Sequence, residues 1–161
     1  MRIQDLNWMD VARYLEEDTR IVLVTGATEQ HGYLSLMTDS LIAERIALAA
    51  ADREGVLVAP PLNFGVSSEF AEFPGTIPLS KAVFEMALNE MVEGLMHQGF
   101  DRFLILNGHG GNRQPQHLVD LQMENMIRIV WYDWWCEHAA REVEAEYNLQ
   151  MNHANWSENF A

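Results

Sequence analysis

Two short polar segments stand out in this sequence because both contain residue types that bind divalent metal ions. The first holds Glu29 and His31, which lie two positions apart and therefore point to the same side of an extended backbone. Asp39 follows shortly afterwards, and His109 lies far along the chain in the second segment, residues 107–112. Two carboxylates and two imidazoles form a ligand set that suits Zn²⁺, Mn²⁺ or Fe²⁺. The sequence predicts a metal centre wherever folding brings these four side chains together.

Each of these residues also has an ordinary structural explanation. Asp39 is a candidate helix N-cap, Glu29 and His31 suit a surface loop, and the sequence NGHGGN at 107–112 suits a flexible turn. The same turn is a candidate phosphate-binding loop, because glycines before a helix expose backbone N–H groups. It lacks the G-x-G-x-x-G spacing and the lysine of a Walker motif. A nucleotide-binding flavodoxin-like module that holds a phosphate at this turn is nevertheless an alternative, because its backbone N–H groups are exposed.

The hydropathy pattern predicts alternating strands and helices around the two polar segments. Continuous apolar runs are typical of strands buried on both faces. Strands are predicted at 20–25, 55–59, 101–106 and 127–131, and helices at 5–17, 39–53, 80–98, 112–126 and 137–147. This alternation predicts a three-layer α/β/α fold with a mainly parallel sheet. Both polar segments follow predicted strands, and ligands of such sheets bind beyond the carboxyl ends of the strands.

Length and charge narrow the class of protein. The 161 residues predict a single α/β domain over 1–161. The formal net charge of −14 argues against nucleic acid and anionic membranes as partners, since both need a positive surface. We find no signal peptide and no apolar stretch long enough to span a membrane. With only one cysteine, Cys136, no internal disulfide can form, and the expected location is cytoplasmic.

Three ordered motifs resemble the creatininase (creatinine amidohydrolase) family. They are EQHG at 29–32 followed by Asp39, FPGTI at 73–77, and NGHGGN at 107–112. The resemblance implies a creatininase-like fold and a small-molecule amide substrate, cleaved at a C–N bond other than a peptide bond. It also implies a water molecule activated by one or two divalent ions. Family members are homo-oligomers, often hexamers, so we expect assembly of this chain as well.

The resemblance also assigns roles to individual residues. Glu29, His31, Asp39 and His109 match the family's metal ligands, and the residue like Asp39 bridges both ions in two-metal members. The tail at 152–158 is similar to the family's His-Ala-Gly…Glu-Thr motif. By that match His153 is catalytic, and Glu158 is both catalytic and a supplementary metal ligand. The candidate substrate-binding residues are Ser67, Gly110, Gly111, Trp131 and Trp134, although aromatic residues such as the two tryptophans favour a core or a subunit interface.

The sequence departs from the family pattern at several positions. Gly111 stands where creatininase has a metal-binding glutamate, and Phe70 stands where many members have a histidine. A second histidine that many members carry shortly after the first motif is also missing. The chain stops three residues after Glu158, earlier than its relatives, which suggests a truncated C-terminus. A catalytically inactive relative that binds a metal or a small ligand is therefore a second interpretation.

Overall fold

The computed structural model describes residues 1–148 and contains a four-stranded, wholly parallel sheet in that part of the chain. The strands are β1 (Arg20–Thr25), β2 (Leu57–Val58), β3 (Arg102–Asn107) and β4 (Arg128–Asp133). Their order is β2-β1-β3-β4, and each neighbouring pair is parallel. All carboxyl ends therefore lie at one edge of the sheet, where both polar segments of the sequence emerge.

Helices cover both faces of this sheet. They are α1 (Trp8–Leu15), α2 (Thr38–Glu54), α3 (Lys81–Gln98), α4 (Gln116–Met123) and α5 (His138–Tyr147). Leu23 of β1 packs in one core cluster with Leu88 of α3 and Leu118 of α4, whereas Val24 packs in another with Ala47 of α2. Successive strand residues point to opposite faces, so this division confirms the predicted three layers. Within residues 1–148 no helix is long and apolar enough to cross a membrane.

Helix α4 begins later than the sequence pattern predicts. It starts at Gln116 rather than at residue 112, with Pro115 in an extended conformation before it. The ring of a proline disfavours helical geometry in the preceding residue, so the helix cannot include Gln114. The glycines at 108, 110 and 111 consequently do not open a helix, which removes the structural reason for expecting a phosphate site there.

The start of helix α2 corrects a second expectation. Asp39 does not cap this helix, because the N-cap position is Met37 and makes no side-chain capping bond. Asp39 lies instead inside the first turn, where its backbone is helical and its carboxylate can face the sheet edge. The ordinary explanation of Asp39 as a helix cap is therefore wrong, and its side chain is available for another purpose.

Candidate metal centre

Three polar side chains from distant parts of the chain meet at the carboxyl edge of the sheet. Glu29 lies in the loop after β1, Asp39 in the first turn of α2, and His109 two residues beyond the end of β3. The Nδ1 atom of His109 is 2.9 Å from Asp39 Oδ2 and 3.4 Å from Glu29 Oε1. One potential ligand atom from each of the three lies within 4.8 Å of the other two, a spacing at which they could hold one metal ion.

His31 lies on the other side of Asp39. Its Nε2 atom is 2.9 Å from Asp39 Oδ1, while Asp39 Oδ2 faces His109. Each oxygen of this carboxylate therefore faces a different imidazole. This is the arrangement that a carboxylate needs if it is to lie between two metal ions.

Both imidazoles are oriented by backbone carbonyl groups. The Nε2 atom of His109 is 2.8 Å from the carbonyl oxygen of Val66, and His31 Nδ1 is 3.3 Å from that of Glu29. In the neutral ring that a metal ion requires, an N–H that donates to a carbonyl fixes the tautomer and leaves the opposite nitrogen to bind the ion. Metal-binding histidines typically have this arrangement. The donor set and its outer contacts therefore fit a divalent ion.

Burial strengthens the electrostatic interactions between the charged side chains of the site. Glu29 is completely buried and Asp39 is 9% exposed. Burial disfavours a charged imidazole, but hydrogen bonds with Asp39 and Glu29 outweigh that effect and raise the pKa of His109 to about 10. Burial raises the pKa of Asp39, yet hydrogen bonds with His109 and His31 outweigh it and lower that pKa overall. In the absence of metal, the protonated His109 compensates the charge of the buried carboxylates.

A buried asparagine at the end of β3 organises the loop that carries His109. Asn107 Oδ1 accepts hydrogen bonds from the hydroxyl of Thr25 (2.9 Å) and from the backbone N–H of His109 (3.2 Å). Its Nδ2 donates to the carbonyl oxygen of His109 (2.8 Å) and to Asp133 Oδ1 (2.7 Å). Sequence reasoning missed this role, although a polar residue directly after an apolar strand was a usable signal.

Close backbone contacts set the distance between this loop and helix α2. A Cβ atom at position 108 would lie 2.2 Å from the backbone oxygen of Asp39, and one at position 111 would lie 2.0 Å from that of Val66. Neither distance is compatible with a side chain. At Gly110, by contrast, a Cβ atom would meet nothing within 4 Å.

The predicted substrate-binding residues lie in different environments. Ser67 is buried, with its hydroxyl 3.5 Å from the carbonyl oxygen of Gly65. Trp131 is half-buried against the core cluster that contains α3, and its Nε1 donates to Asp133. Trp134 packs against the opposite cluster, which contains α2. The tryptophans thus contact opposite faces of the sheet, and their role in binding a substrate stays a prediction.

The two predicted catalytic residues cannot be placed against this geometry. His153 and Glu158 lie outside the described residues 1–148. Their assignment as catalytic groups, and of Glu158 as a metal ligand, stays a prediction from the sequence. Among the described residues, the structure brings Glu29, Asp39 and His109 together, and His31 contacts Asp39. That these four residues bind a metal ion stays a prediction.

Comparison with known proteins identifies similar chains. The family model for creatininase, described as creatinine amidohydrolase, matches residues 4–159. A mycofactocin precursor peptide peptidase of Mycolicibacterium smegmatis is 41% identical over 63% of this chain and 44% of its own length. A creatinine amidohydrolase of Pseudomonas putida is 31% identical over 68% of this chain and 45% of its own. The chain thus spans less than half the length of these curated relatives.

A solved structure of a manganese creatininase has the same fold. It superposes with a TM-score of 0.79 at 22% sequence identity and covers 97% of this chain and 66% of its own. At this level of identity the similarity establishes the fold and nothing further.

The contact at Gly108 generates a first prediction. In Gly108→Ala the new methyl group collides with the backbone of Asp39, so the β3 loop must move away from α2 and carry His109 with it. We expect a loss of about 1–3 kcal/mol in the free energy of unfolding and weaker binding of Mn²⁺. Urea denaturation and calorimetric titration measure the two effects. Gly110→Ala is the control and should change stability by less than about 0.5 kcal/mol; equal effects of the two substitutions would show that the close contact with Asp39 does not position the loop.

The electrostatics of His109 generate a second prediction. Its raised pKa means that metal-free protein keeps the imidazolium from below its ordinary pKa of 6.5 up to about 10. A divalent ion must displace this proton, so the affinity for Mn²⁺ should rise as the pH increases from about 7 to 9. NMR titration of the histidine rings follows the proton in the metal-free protein, and calorimetry follows the affinity. A neutral His109 at pH 7 in metal-free protein would show that the prediction is wrong.

Proposed function

The chain belongs to the creatininase family, and we propose that it is a metal-dependent amidohydrolase that cleaves a C–N amide-type bond of a small molecule. The observation that carries the proposal is the buried convergence of Glu29, Asp39 and His109, with His31 on the other side of Asp39. The site lies at the carboxyl edge of a parallel sheet, where α/β proteins bind ligands.

The four residues have distinct proposed roles. Glu29, Asp39 and His109 would hold one divalent ion, which we expect to be Zn²⁺, Mn²⁺ or Fe²⁺. Asp39 and His31 would contribute to a second ion. When bound, such an ion supplies Lewis acidity, which polarises an amide carbonyl and lowers the pKa of a water molecule to about 7. The buried carboxylates of Glu29 and Asp39 compensate its positive charge.

Other residues would act on the substrate itself. Gly110 is exposed and has no neighbour where a side chain would project, so a substrate can approach the backbone closely there. A backbone N–H at Gly110 or Gly111 would donate a hydrogen bond to an amide oxygen as negative charge develops on it. We further propose His153 as the group that donates a proton to the leaving nitrogen, a role that is worth about 10²–10⁴ in rate.

The loops around the site favour an amide that carries an apolar group. The loop after β1 is tied to residues 63–77, because the Thr28 hydroxyl donates to Asn63 O (2.8 Å) and Ile77 N donates to Thr28 O (2.9 Å). Phe73 on the second loop is 50% exposed and Tyr33 on the first is 84% exposed. Phe70 occupies a position where many family members have a histidine. These features support an apolar amide substrate over creatinine.

A cytoplasmic location and a homo-oligomeric assembly remain predictions for this chain. A catalytically inactive relative that binds a metal or a small ligand is the second candidate, because Phe70 stands where many family members have a histidine. Turnover of an amide decides between the enzyme and this alternative.

The third prediction concerns metal-dependent hydrolysis. Purified protein should hydrolyse at least one member of a panel containing creatinine, N-formyl amines and apolar peptide amides, and chelation should abolish this activity until Zn²⁺ or Mn²⁺ is restored. Glu29→Gln keeps the shape of the side chain but removes its charge, so both metal affinity and activity should fall at least about 100-fold. Calorimetric titration with Mn²⁺ measures the affinity, and product formation measures the activity.

Glu72→Gln is the matched control for that substitution. Glu72 is an exposed carboxylate on a neighbouring loop, so its neutralisation should leave both quantities unchanged. Stoichiometric metal without hydrolysis of any amide would favour the inactive interpretation. Protein that binds no divalent ion at micromolar concentration would contradict the proposal altogether.

The fourth prediction concerns the number of ions. Because a Cβ atom at position 111 would collide with Val66, no side chain there can supply a carboxylate to the ion beside His31. We propose that Glu158 supplies it. Elemental analysis should find two ions in the wild type and one in Glu158→Gln or His31→Ala. An unchanged stoichiometry in Glu158→Gln would exclude this role for Glu158.

A further inference from the structure

A second buried asparagine joins three separate segments behind the metal centre. Asn112 is completely buried. Its Nδ2 donates to the carbonyl oxygen of Gly26, beyond β1, and to Asn107 Oδ1 at the end of β3, both at 3.2 Å. Its Oδ1 accepts a hydrogen bond of 3.1 Å from the backbone N–H of Val66. All three bonds are with groups at the sheet edge, and none is with a carboxylate of the site.

The bond to Val66 connects Asn112 to the imidazole of His109. The carbonyl oxygen of Val66 accepts the Nε2–H of His109 at 2.8 Å, and the opposite Nδ1 faces Asp39 and Glu29. A displaced Val66 carbonyl would leave Nε2–H without this acceptor, and the ring could then rotate or change its tautomer. The position of one backbone carbonyl thus decides which nitrogen of His109 faces the carboxylates.

Two glycines restrict the same contact from either side. A Cβ atom at position 65 would lie 2.8 Å from Asn112 Oδ1 and 2.9 Å from His109 Cδ2. A Cβ atom at position 111 would lie 2.0 Å from the Val66 carbonyl oxygen and 2.5 Å from His109 Nε2. The ring, the carbonyl and the asparagine amide are therefore packed together without spare space. Gly111 and Asn112, the last two residues of the 107–112 motif, therefore both act on the position of Val66.

We propose that Asn112 is a positioning residue of the metal centre: by holding Val66, it fixes the carbonyl that orients His109 and so directs Nδ1 towards the ion. This inference rests on the proposed function. Asn112 contacts neither the ion nor the substrate in this scheme, and it acts entirely through Val66. Outer partners of metal-binding histidines typically change metal affinity 10–100-fold when they are removed.

The test compares Asn112→Ala with Thr25→Val. Thr25 is also completely buried, and its hydroxyl donates to the same Asn107 oxygen, but it makes no side-chain bond to Val66 or His109. Both substitutions remove buried hydrogen bonds from the same network around Asn107. Both should therefore lower the midpoint of urea denaturation of the metal-free protein. Only Asn112→Ala should weaken Mn²⁺ binding by about 10–100-fold, while Thr25→Val should stay within about threefold of the wild type.

A spectroscopic measurement separates positioning from general destabilisation. In the Zn²⁺-loaded wild type, ¹⁵N NMR should show His109 as the Nε2–H tautomer with a slowly exchanging proton. Asn112→Ala should lose that slow exchange, and Thr25→Val should keep it. If Asn112→Ala fails to fold, Gly111→Ala displaces the Val66 carbonyl directly and should produce the same loss.

The outcomes distinguish this inference from the proposed function. A wild type that binds no divalent ion would overturn both. A wild type that binds the ion, together with an Asn112→Ala variant of equal affinity and unchanged His109 signal, would overturn only the positioning role. Equal losses of affinity in Asn112→Ala and Thr25→Val would likewise overturn it, because the effect would then follow stability alone.

Discussion

Two carboxylates are buried within a few ångströms of each other at the centre of this structure. The free energy that this burial costs determines which other groups must lie beside them. Glu29 and Asp39 are removed from water at the end of an apolar sheet, and like charges at this distance repel strongly in a poorly polarisable interior. Positive charge must therefore accompany them. In metal-free protein the imidazolium of His109 provides it, and in the proposed holoprotein a divalent ion does so. The proton and the metal are thus competitors for one site.

The parallel sheet is what brings these groups into contact. Strands β1 and β3 are adjacent, so the loops that follow them leave the sheet side by side. Helix α2 returns over the end of β1, and its first turn carries Asp39 towards both histidines. The glycine at 108 allows the β3 loop to approach that turn closely enough for contact. The loop after β1 therefore contributes Glu29 and His31, α2 contributes Asp39 and the loop after β3 contributes His109, and the core packing holds their spacing.

The loop at 63–67 connects this arrangement to the rest of the molecule. The Val66 carbonyl of this loop orients His109, and the Val66 N–H donates to Asn112. The carbonyl oxygen of Asn63 accepts a hydrogen bond from Thr28 in the loop after β1. The same loop continues towards Phe73, an exposed aromatic residue that we associate with substrate choice. In the proposed function, orientation of His109 and selection of the substrate thus depend on adjacent parts of one segment.

The sequence alone determined the layers, the parallel sheet and the four clustered residues, because apolar runs and the ordered motifs are local properties of the chain. Tertiary structure alone decided that Asp39 does not cap helix α2, since a residue at a helix start can cap the helix or face a site. It also revealed Asn107 and Asn112, whose hydrogen bonds join segments up to 86 positions apart. No local pattern encodes such bonds, because they depend on how β1, β3 and the loop at 63–67 are placed relative to one another.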